Sequence, residues 1–360
     1  MRRAENKCKK IQMGSQESLG VNGNSNPWSC HIDLIMKTYL VTGGAGFIGS
    51  ALVRRLVHEQ NRVRVFDNDS RGRISRLHDL AGRFDHVHGD IRDGAALDKA
   101  VRGVDCVCHL AFVNGTQLFY TKPAWVLDVG VKGITNVLDS CLRHDVPELV
   151  LASSSEVYQT PPSIPTDESV PLSIPDPINP RYSYAAAKII SEMMALNYGR
   201  SRFRRVMVFR PHNVYGPDMG WEHVIPQFVL RMRKMLRPDT EIVDFPVQGT
   251  GQQTRSFVFI DDLIDGLMAI MNHGIHLGIY NIGTQDEVAI AELAQMIGDF
   301  FGKRVRVVPG PPAPGGPSRR CPDIAKIMTL GYKPRVSLRD GVTTTATWYD
   351  QNSSLAPNTE

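Results

Sequence analysis

The sequence predicts an α/β protein with a doubly wound parallel sheet and a smaller C-terminal α/β lobe. Two observations support this fold. Short apolar runs alternate with longer segments of helical spacing, and a glycine-rich turn joins the first strand to the first helix. The chain has 360 residues, which is enough for two compact cores. We expect a dinucleotide-binding sheet domain over residues 37–211 and a substrate-binding lobe over residues 212–350, with some lobe segments returning to the sheet domain.

Strands and helices alternate regularly through the expected sheet domain. The strands are predicted at residues 38–41, 62–66, 86–88, 106–110 and 149–152, and the helices at residues 50–58, 95–101 and 131–143. Helices between successive strands act as crossover connections, and such connections make the strands parallel. Beyond residue 210 the pattern loosens into short elements separated by proline and glycine, as is typical of a smaller lobe.

Other segments lack a regular period and are expected to lie outside the core. Residues 1–36 are polar, and we expect a disordered leader, with Met36 as a candidate native start. The proline-rich residues 159–180 and 309–317 are expected to form loops. Residues 351–360 are expected to form a tail.

Composition argues against several functional classes. Lys plus Arg number 41 and Asp plus Glu 37, a formal charge of +4, and the first 36 residues account for part of this excess. Such an even balance argues against a nucleic-acid partner. No apolar run approaches the ~18 residues that a membrane span needs. The six cysteines form no C-x-x-C pair and have no histidine cluster at zinc spacing, so we expect reduced thiols, no metal site and a cytoplasmic protein.

A dinucleotide site is predicted at the first strand–helix junction. The turn contains Gly43, Gly46, Phe47, Ile48 and Gly49. Glycines at this spacing permit a tight turn, let the backbone approach a pyrophosphate and let helix and strand pack closely. Asp67, at the end of the second strand, would accept hydrogen bonds from ribose hydroxyls and repel a 2′-phosphate. This favours NAD over NADP, although Arg71 nearby could pair with such a phosphate. A glycine turn without a ligand is the alternative.

The ends of the next strands extend this predicted site. Asp90 and Ile91 follow the third strand and are expected to flank an adenine. Leu110 and Ala111 end the fourth strand and are expected to lie under the cofactor. We expect His109, just before them, to be a packed core histidine and not a ligand.

A reaction site is predicted where Tyr184 and Lys188 share one face of a helix, four residues apart. The lysine ammonium would lower the phenol pKa and hold a nicotinamide ribose, so that the phenol can act as a general base toward a sugar hydroxyl. Ser154 ends a strand upstream and would hydrogen-bond the same substrate oxygen. A surface tyrosine–lysine pair is the alternative.

Together these motifs resemble the extended short-chain dehydrogenase/reductase superfamily, and especially its nucleotide-sugar epimerases, 4,6-dehydratases and UDP-glucuronate decarboxylases. The resemblance extends through the C-terminal half, including residues 210–217, 253–263 and 319–323. It implies bound NAD that is recycled, a nucleotide-sugar substrate, and catalytic roles for Ser154, Tyr184 and Lys188. It also implies a homodimer formed through the helices near residues 131–143 and 189–198.

The resemblance assigns further residues to the substrate. Asn213, Arg255 and Arg320 fall where the family holds the nucleotide diphosphate, and arginine offers phosphate a bidentate fork. Surface arginines are the alternative reading. Gly130 is a departure, because the family usually carries asparagine there, in a segment linked to a local helix kink and a proton-relay water.

Glu156 bears on the choice of reaction. The resemblance implies oxidation of the sugar at C4, followed by epimerisation, elimination or decarboxylation. Glu156 stands where GDP-mannose 4,6-dehydratases and UDP-glucuronate decarboxylases carry an active-site glutamate, which argues against plain 4-epimerisation. The alternative interpretation of Glu156 is a loop residue that forms a salt bridge. Ser155, predicted to contact substrate, stands where TDP-glucose 4,6-dehydratases carry an aspartate acid. A net NAD(P)H-dependent reductase and a silent NAD sensor are the alternatives of other classes.

Overall fold

A seven-stranded parallel sheet lies at the centre of the fold. The computed structural model describes residues 36–311 and 318–357. The strands are β1 (Thr38–Thr42), β2 (Arg62–Asp67), β3 (Asp85–His88), β4 (Cys106–His109), β5 (Glu148–Ala152), β6 (Arg205–Pro211), β7 (Val214–Tyr215), β8 (Ile242–Gln248), β9 (Thr254–Ser256), β10 (Val258–Phe259), β11 (Gly278–Ile282), β12 (Glu287–Ala289), β13 (Arg304–Gly310) and β14 (Arg319–Arg320). The central sheet has the order β11-β6-β5-β4-β1-β2-β3, and every neighbouring pair in it is parallel.

Helices cover both faces of this sheet. They are α1 (Phe47–His58), α2 (Gly94–Val101), α3 (Thr116–Thr121), α4 (Pro123–Arg143), α5 (Ser183–Arg202), α6 (Val224–Met235), α7 (Ile260–His273), α8 (Ile290–Phe300), α9 (Ala325–Met328) and α10 (Leu338–Gln351). Alternate residues of a strand point to opposite faces, so Leu40 and Val41 belong to two different hydrophobic clusters. The Val41 cluster includes α1 and α7, and the Leu40 cluster includes α2, α4 and α5. The predicted doubly wound sheet is confirmed.

Some elements differ in extent from the sequence prediction. The helix predicted at residues 131–143 begins earlier, at Pro123. Strand β11, from the C-terminal part of the chain, pairs with β6 at the edge of the central sheet. Residues 36–360 group as one compact unit, so the division at residue 211 stays a prediction. The predicted leader and most of the predicted loop at residues 309–317 lie outside the described residues.

The proline-rich segment 159–180 is irregular, as predicted, but is fixed to the C-terminal part of the chain. The Thr166 N–H donates to the Cys321 carbonyl at 2.9 Å, and the Asp323 N–H donates to the Thr166 carbonyl at 2.8 Å. The Asn281 N–H donates to the Glu168 carboxylate at 2.7 Å. The segment therefore connects the central sheet to β14. No helix in the described part of the chain is both long and apolar enough to cross a bilayer.

A buried ion pair joins α5 to β6. The Glu192 carboxylate accepts from Arg210 Nε at 2.9 Å and from Arg210 Nη2 at 2.6 Å, and both side chains are 2% exposed. Glu192 also accepts from the Ser153 hydroxyl, and Arg210 Nη1 donates to the Tyr158 hydroxyl at 2.7 Å. Because Ser153 directly follows β5, this pair fixes the strand end that carries Ser154.

Glu192→Gln is expected to destabilise the protein by about 3–5 kcal/mol, because it leaves the Arg210 charge buried without its counterion. Urea unfolding measures the change in the free energy of unfolding. The control is Asp244→Asn, which removes an exposed partner of Arg306 and is expected to have little effect. Equal effects of the two substitutions would contradict the assignment.

Candidate active site

A cavity of 470 Å³ opens where the central sheet reverses its strand order, between β1 and β4. All of the predicted cofactor residues line it: Gly43, Gly46, Phe47, Ile48, Gly49, Asp67, Asp90, Ile91, Leu110, Ala111, Tyr184 and Lys188. Ser154, Ser155, Glu156, Asn213 and Arg320 line it as well. Arg255 is the one predicted site residue outside this lining. The tertiary structure therefore brings two distant sequence regions to one cavity.

The glycine turn forms a cradle with no room for side chains. Gly43 has φ +72°, and a Cβ on it would lie 2.7 Å from Ala111 Cα. A Cβ on Gly49 would lie 2.0 Å from the Gly43 carbonyl oxygen. Helix α1 begins directly after Gly46, and no side chain caps its first turn. Its N–H groups therefore point toward the cavity, which fits the pyrophosphate of a dinucleotide.

Asp67 is held firmly at the end of β2. Its carboxylate accepts from the Ala45 N–H at 3.0 Å and from the Asp69 N–H at 2.9 Å. Burial raises the pKa of Asp67, although these two donors oppose the shift. Arg71, which could favour a 2′-phosphate, lies 3.9 Å from the Glu222 carboxylate. The arrangement suits the unphosphorylated ribose of NAD.

His109 is a core residue, as predicted. It is 3% exposed, and its Nδ1 lies 2.8 Å from the Thr42 hydroxyl. Burial lowers the pKa of His109 to about 3, so the ring stays neutral at physiological pH. The described cysteines, Cys106, Cys108, Cys141 and Cys321, are all buried and free. Within residues 36–311 and 318–357, no group of three or more His, Cys, Asp or Glu side chains is arranged to hold a metal.

Tyr184 and Lys188 lie side by side in the cavity wall, on one face of α5. The Lys188 ammonium donates to the Ala152 carbonyl at 2.7 Å, and burial lowers its pKa to about 7, opposed by the Glu192 charge. Burial raises the pKa of Tyr184 to about 12, although a hydrogen bond with Ser154 opposes this. The predicted lowering of the phenol pKa by Lys188 is therefore not seen in this structure. Desolvation has the largest effect on this pKa, and the Glu156 charge raises it further.

Glu156 lies among three arginines. Its carboxylate accepts from Arg320 Nη1 at 2.7 Å, and Arg181 Nη2 lies 3.9 Å away. Burial alone would raise the pKa of Glu156, but the charges of Arg320, Arg181 and Arg255 hold it below the ordinary value. Glu156 is therefore a salt-bridged residue, as in the alternative reading, and it also lines the cavity. The Glu156 N–H donates to the Ser154 hydroxyl at 3.1 Å, which couples it to the predicted catalytic serine.

The other predicted diphosphate ligands occupy different settings. Asn213 lines the cavity with φ +39°, and its side-chain amide donates to the Ser256 carbonyl at 2.7 Å. Arg255 Nη1 donates to the carbonyl of its neighbour Thr254 at 2.7 Å. Burial and the charge of Arg320 lower the pKa of Arg255 to about 10. Although Arg255 does not line the cavity, its charge helps to lower the pKa of Glu156 there.

Several residues of the cavity were missed in the sequence. Phe119 stacks on the Tyr184 ring at 4.8 Å between centroids, and Phe112 meets the same ring edge-on at 5.1 Å. Both lie between β4 and α4, in a stretch without any period that would signal a site. The sequence analysis also missed Arg181, which lies beside Glu156. Its position three residues before Tyr184 was the only sequence feature that could have pointed to it.

Comparison with known proteins identifies the family. The family model described as the NAD dependent epimerase/dehydratase family matches residues 39–283. The chain belongs to this family. It is 33% identical over 309 residues to UDP-glucuronic acid decarboxylase 1 of Arabidopsis thaliana, covering 84% of this chain and 67% of the relative. It is 32% identical over 326 residues to UDP-N-acetyl-alpha-D-glucosaminuronate decarboxylase of Bacillus cytotoxicus, covering 87% of this chain and 98% of the relative.

Solved structures of the same architecture include two further reaction types. A dTDP-glucose 4,6-dehydratase from Streptomyces venezuelae with NAD bound has a TM-score of 0.78 and 32% identity, covering 88% of this chain and 98% of the other. A UDP-glucose 4-epimerase from Thermotoga maritima has a TM-score of 0.78 and 26% identity, covering 88% and 99%. The predictions of an NAD-dependent enzyme of the epimerase/dehydratase type are confirmed.

Gly49→Ala is expected to abolish measurable NAD binding, because the added methyl would overlap the Gly43 carbonyl oxygen. Isothermal titration calorimetry with NAD measures the loss. Gly94→Ala is the matched control, since its methyl would lie 3.4 Å from the Asn136 side chain, an ordinary contact. Unchanged NAD affinity in Gly49→Ala would place the cofactor elsewhere.

Proposed function

We propose that this protein oxidises a nucleotide sugar at C4 and completes the reaction by epimerisation or elimination, with the same bound NAD restored at the end. One observation carries the proposal. Ser154, Tyr184, Lys188 and an arginine-bound Glu156 line the same cavity as the glycine cradle. When bound, NAD supplies the hydride acceptor. A site that only sensed NAD would have no use for these reactive side chains.

Tyr184 is the proposed base for the sugar hydroxyl. Its phenol lies next to Ser154, which orients the same oxygen, and beside Lys188, which would hold the nicotinamide ribose. The high pKa of Tyr184 in this structure is set by burial. A cationic cofactor ring near the phenol would lower that pKa, because an opposite charge favours the phenolate. The phenol then accepts the proton as C4 becomes a ketone.

The cationic end of the cavity is the proposed nucleotide site. Arg320 lines the cavity, and so does Asn213, which directly precedes β7. Arg255 contributes its charge to the same region. Guanidinium groups bind diphosphate oxygens in pairs of hydrogen bonds. Nucleotide sugars are named in the descriptions of the related enzymes, which supports this class of substrate.

Decarboxylation of a nucleotide uronic acid is the second candidate. The buried Arg181 Nε and Arg320 Nη2 have no hydrogen-bond partner among the described residues, so these guanidinium groups can donate hydrogen bonds to a further anion. A C6 carboxylate placed there would be β to a C4 ketone. The C5–C6 bond would break with release of carbon dioxide, its electron pair would form the C4 enolate, and a proton would restore C5. Identity of 31–34% to several decarboxylases supports this candidate.

The purified protein is expected to convert at least one nucleotide sugar without added NAD. The panel is UDP-glucose, UDP-glucuronate, UDP-N-acetylglucosamine, GDP-mannose and TDP-glucose. Mass spectrometry and NMR distinguish the products, since dehydration removes water, decarboxylation removes carbon dioxide and epimerisation changes only the couplings. Stoichiometric consumption of free NAD(P)H would instead indicate a reductase. No turnover of any sugar in the panel would overturn the proposal.

The role of Tyr184 is tested in the same assay with Tyr184→Phe, which keeps the ring and removes the hydroxyl. The rate is expected to fall by about 10²–10⁴-fold, as for other lost acid–base groups. Calorimetry should show that the variant still binds NAD. A near-normal rate would remove Tyr184 from the proposed role.

We also propose that the protein is a cytoplasmic homodimer. Ile190, Met193 and Tyr198 are 38%, 56% and 42% exposed, so α5 presents three large apolar side chains to solvent within three turns. Helix α5 packs against α4, so the two helices form one continuous surface. A second copy of this surface would cover the apolar side chains by two-fold symmetry.

Met193→Glu is expected to convert the dimer to a monomer, because it places a charge at the centre of the proposed apolar contact. Light scattering after gel filtration measures the mass. Met328→Glu on α9, where methionine is 50% exposed, is the control and should leave the mass unchanged. A monomeric wild-type protein would refute the homodimer.

A further inference from the structure

The ring of Phe112 contacts both proposed catalytic side chains of α5. The Lys188 ammonium lies 3.8 Å from the centroid of the Phe112 ring. The Tyr184 ring meets Phe112 edge-on, with centroids 5.1 Å apart and planes at 86°. Phe112 also lines the cavity. A residue of the loop after β4 is therefore placed against the two groups that carry the proposed chemistry.

Gly130 makes room for this ring. A Cβ at residue 130 would lie 2.7 Å from Phe112 Cζ and 2.7 Å from Ala187 Cβ. Any larger residue on α4 would therefore displace either the ring or α5. The family resemblance places asparagine at residue 130. In this chain residue 130 is glycine, and the Phe112 ring fills the space beside it.

Lys188 is buried and held by a hydrogen bond and a ring contact. The side chain is 4% exposed, and its ammonium donates to the Ala152 carbonyl at 2.7 Å. On another side it faces the negative face of the Phe112 ring, which attracts a cation most strongly where water is excluded. The carbonyl and the ring together define the direction of the ammonium.

We propose that Phe112, admitted by Gly130, is a positioning residue that holds the Lys188 ammonium between the Ala152 carbonyl and the Phe112 ring, next to Tyr184. This inference rests on the proposed function only for the role of Lys188 in the reaction. The contact itself, and its effect on NAD binding, do not depend on which sugar is the substrate.

Other charged and titratable groups around Lys188 bear on its protonation. Glu192 lies one turn later on α5, pairs with Arg210, and favours the Lys188 ammonium. His109 on β4 interacts electrostatically with Lys188 but stays neutral above about pH 3. Tyr184 stays neutral below about pH 12. The ionisation of Lys188 is therefore the one expected to respond near neutral pH.

The test is the pH dependence of NAD affinity, measured by calorimetry without any sugar. For the wild type we expect affinity to decrease as pH rises and Lys188 loses its proton. Phe112→Leu removes the ring face, so the ammonium is less stabilised and the midpoint should move down by about one pH unit. Phe112→Met, with an unbranched side chain, is a second variant in case the first folds poorly. Thermal unfolding checks both variants.

Phe203→Leu is the matched control, because Phe203 is another buried phenylalanine, 6% exposed, that does not line the cavity. It should leave the midpoint of NAD binding unchanged. Gly130→Ala displaces the ring from the other side and should shift the midpoint as Phe112→Leu does. Wild-type midpoints in Phe112→Leu and Phe112→Met would overturn the inference. Shifted midpoints without turnover of any sugar would instead overturn only the proposed function.

Discussion

The strand order reverses at β1, because the chain places β2 on one side of this strand and β4 on the other. The connections after β1 and β4 must therefore leave toward opposite faces of the sheet. A crevice remains between them at the carboxyl ends of the strands. The glycine turn after β1 forms one wall of this crevice, and Ala111 after β4 packs directly against it. Every other feature of the site is placed relative to that crevice.

Burial and charge act against each other throughout the cavity. Desolvation lowers the pKa of Lys188 and raises that of Tyr184, so both side chains favour their neutral forms more than they would in water. The pKa of Glu156 is lowered instead, because three neighbouring arginines favour the carboxylate despite its burial. The cavity thus combines desolvated reaction groups with a cationic cluster around Glu156. This combination suits a substrate with a neutral sugar and an anionic nucleotide.

The sequence predicted the central sheet and most of the cavity. The cofactor residues were identifiable because they lie within one short turn and at successive strand ends, where local chemistry specifies the structure. Arg255 was placed in the site by resemblance, and the structure puts it just outside the cavity lining. The lowered pKa expected for Tyr184 was wrong for this structure, because the degree of burial cannot be read from a four-residue spacing.

The sequence by itself determined the parallel α/β fold, the glycine cradle and the helix face shared by Tyr184 and Lys188, since each follows from residue type and local spacing. Only the tertiary structure decided that Phe112 fills the space beside Gly130 and that Glu156 meets Arg320, 164 residues away. Such contacts depend on how distant segments pack, and packing is fixed by volume and by the pairing of buried charges over the whole fold. No short stretch of sequence contains that information.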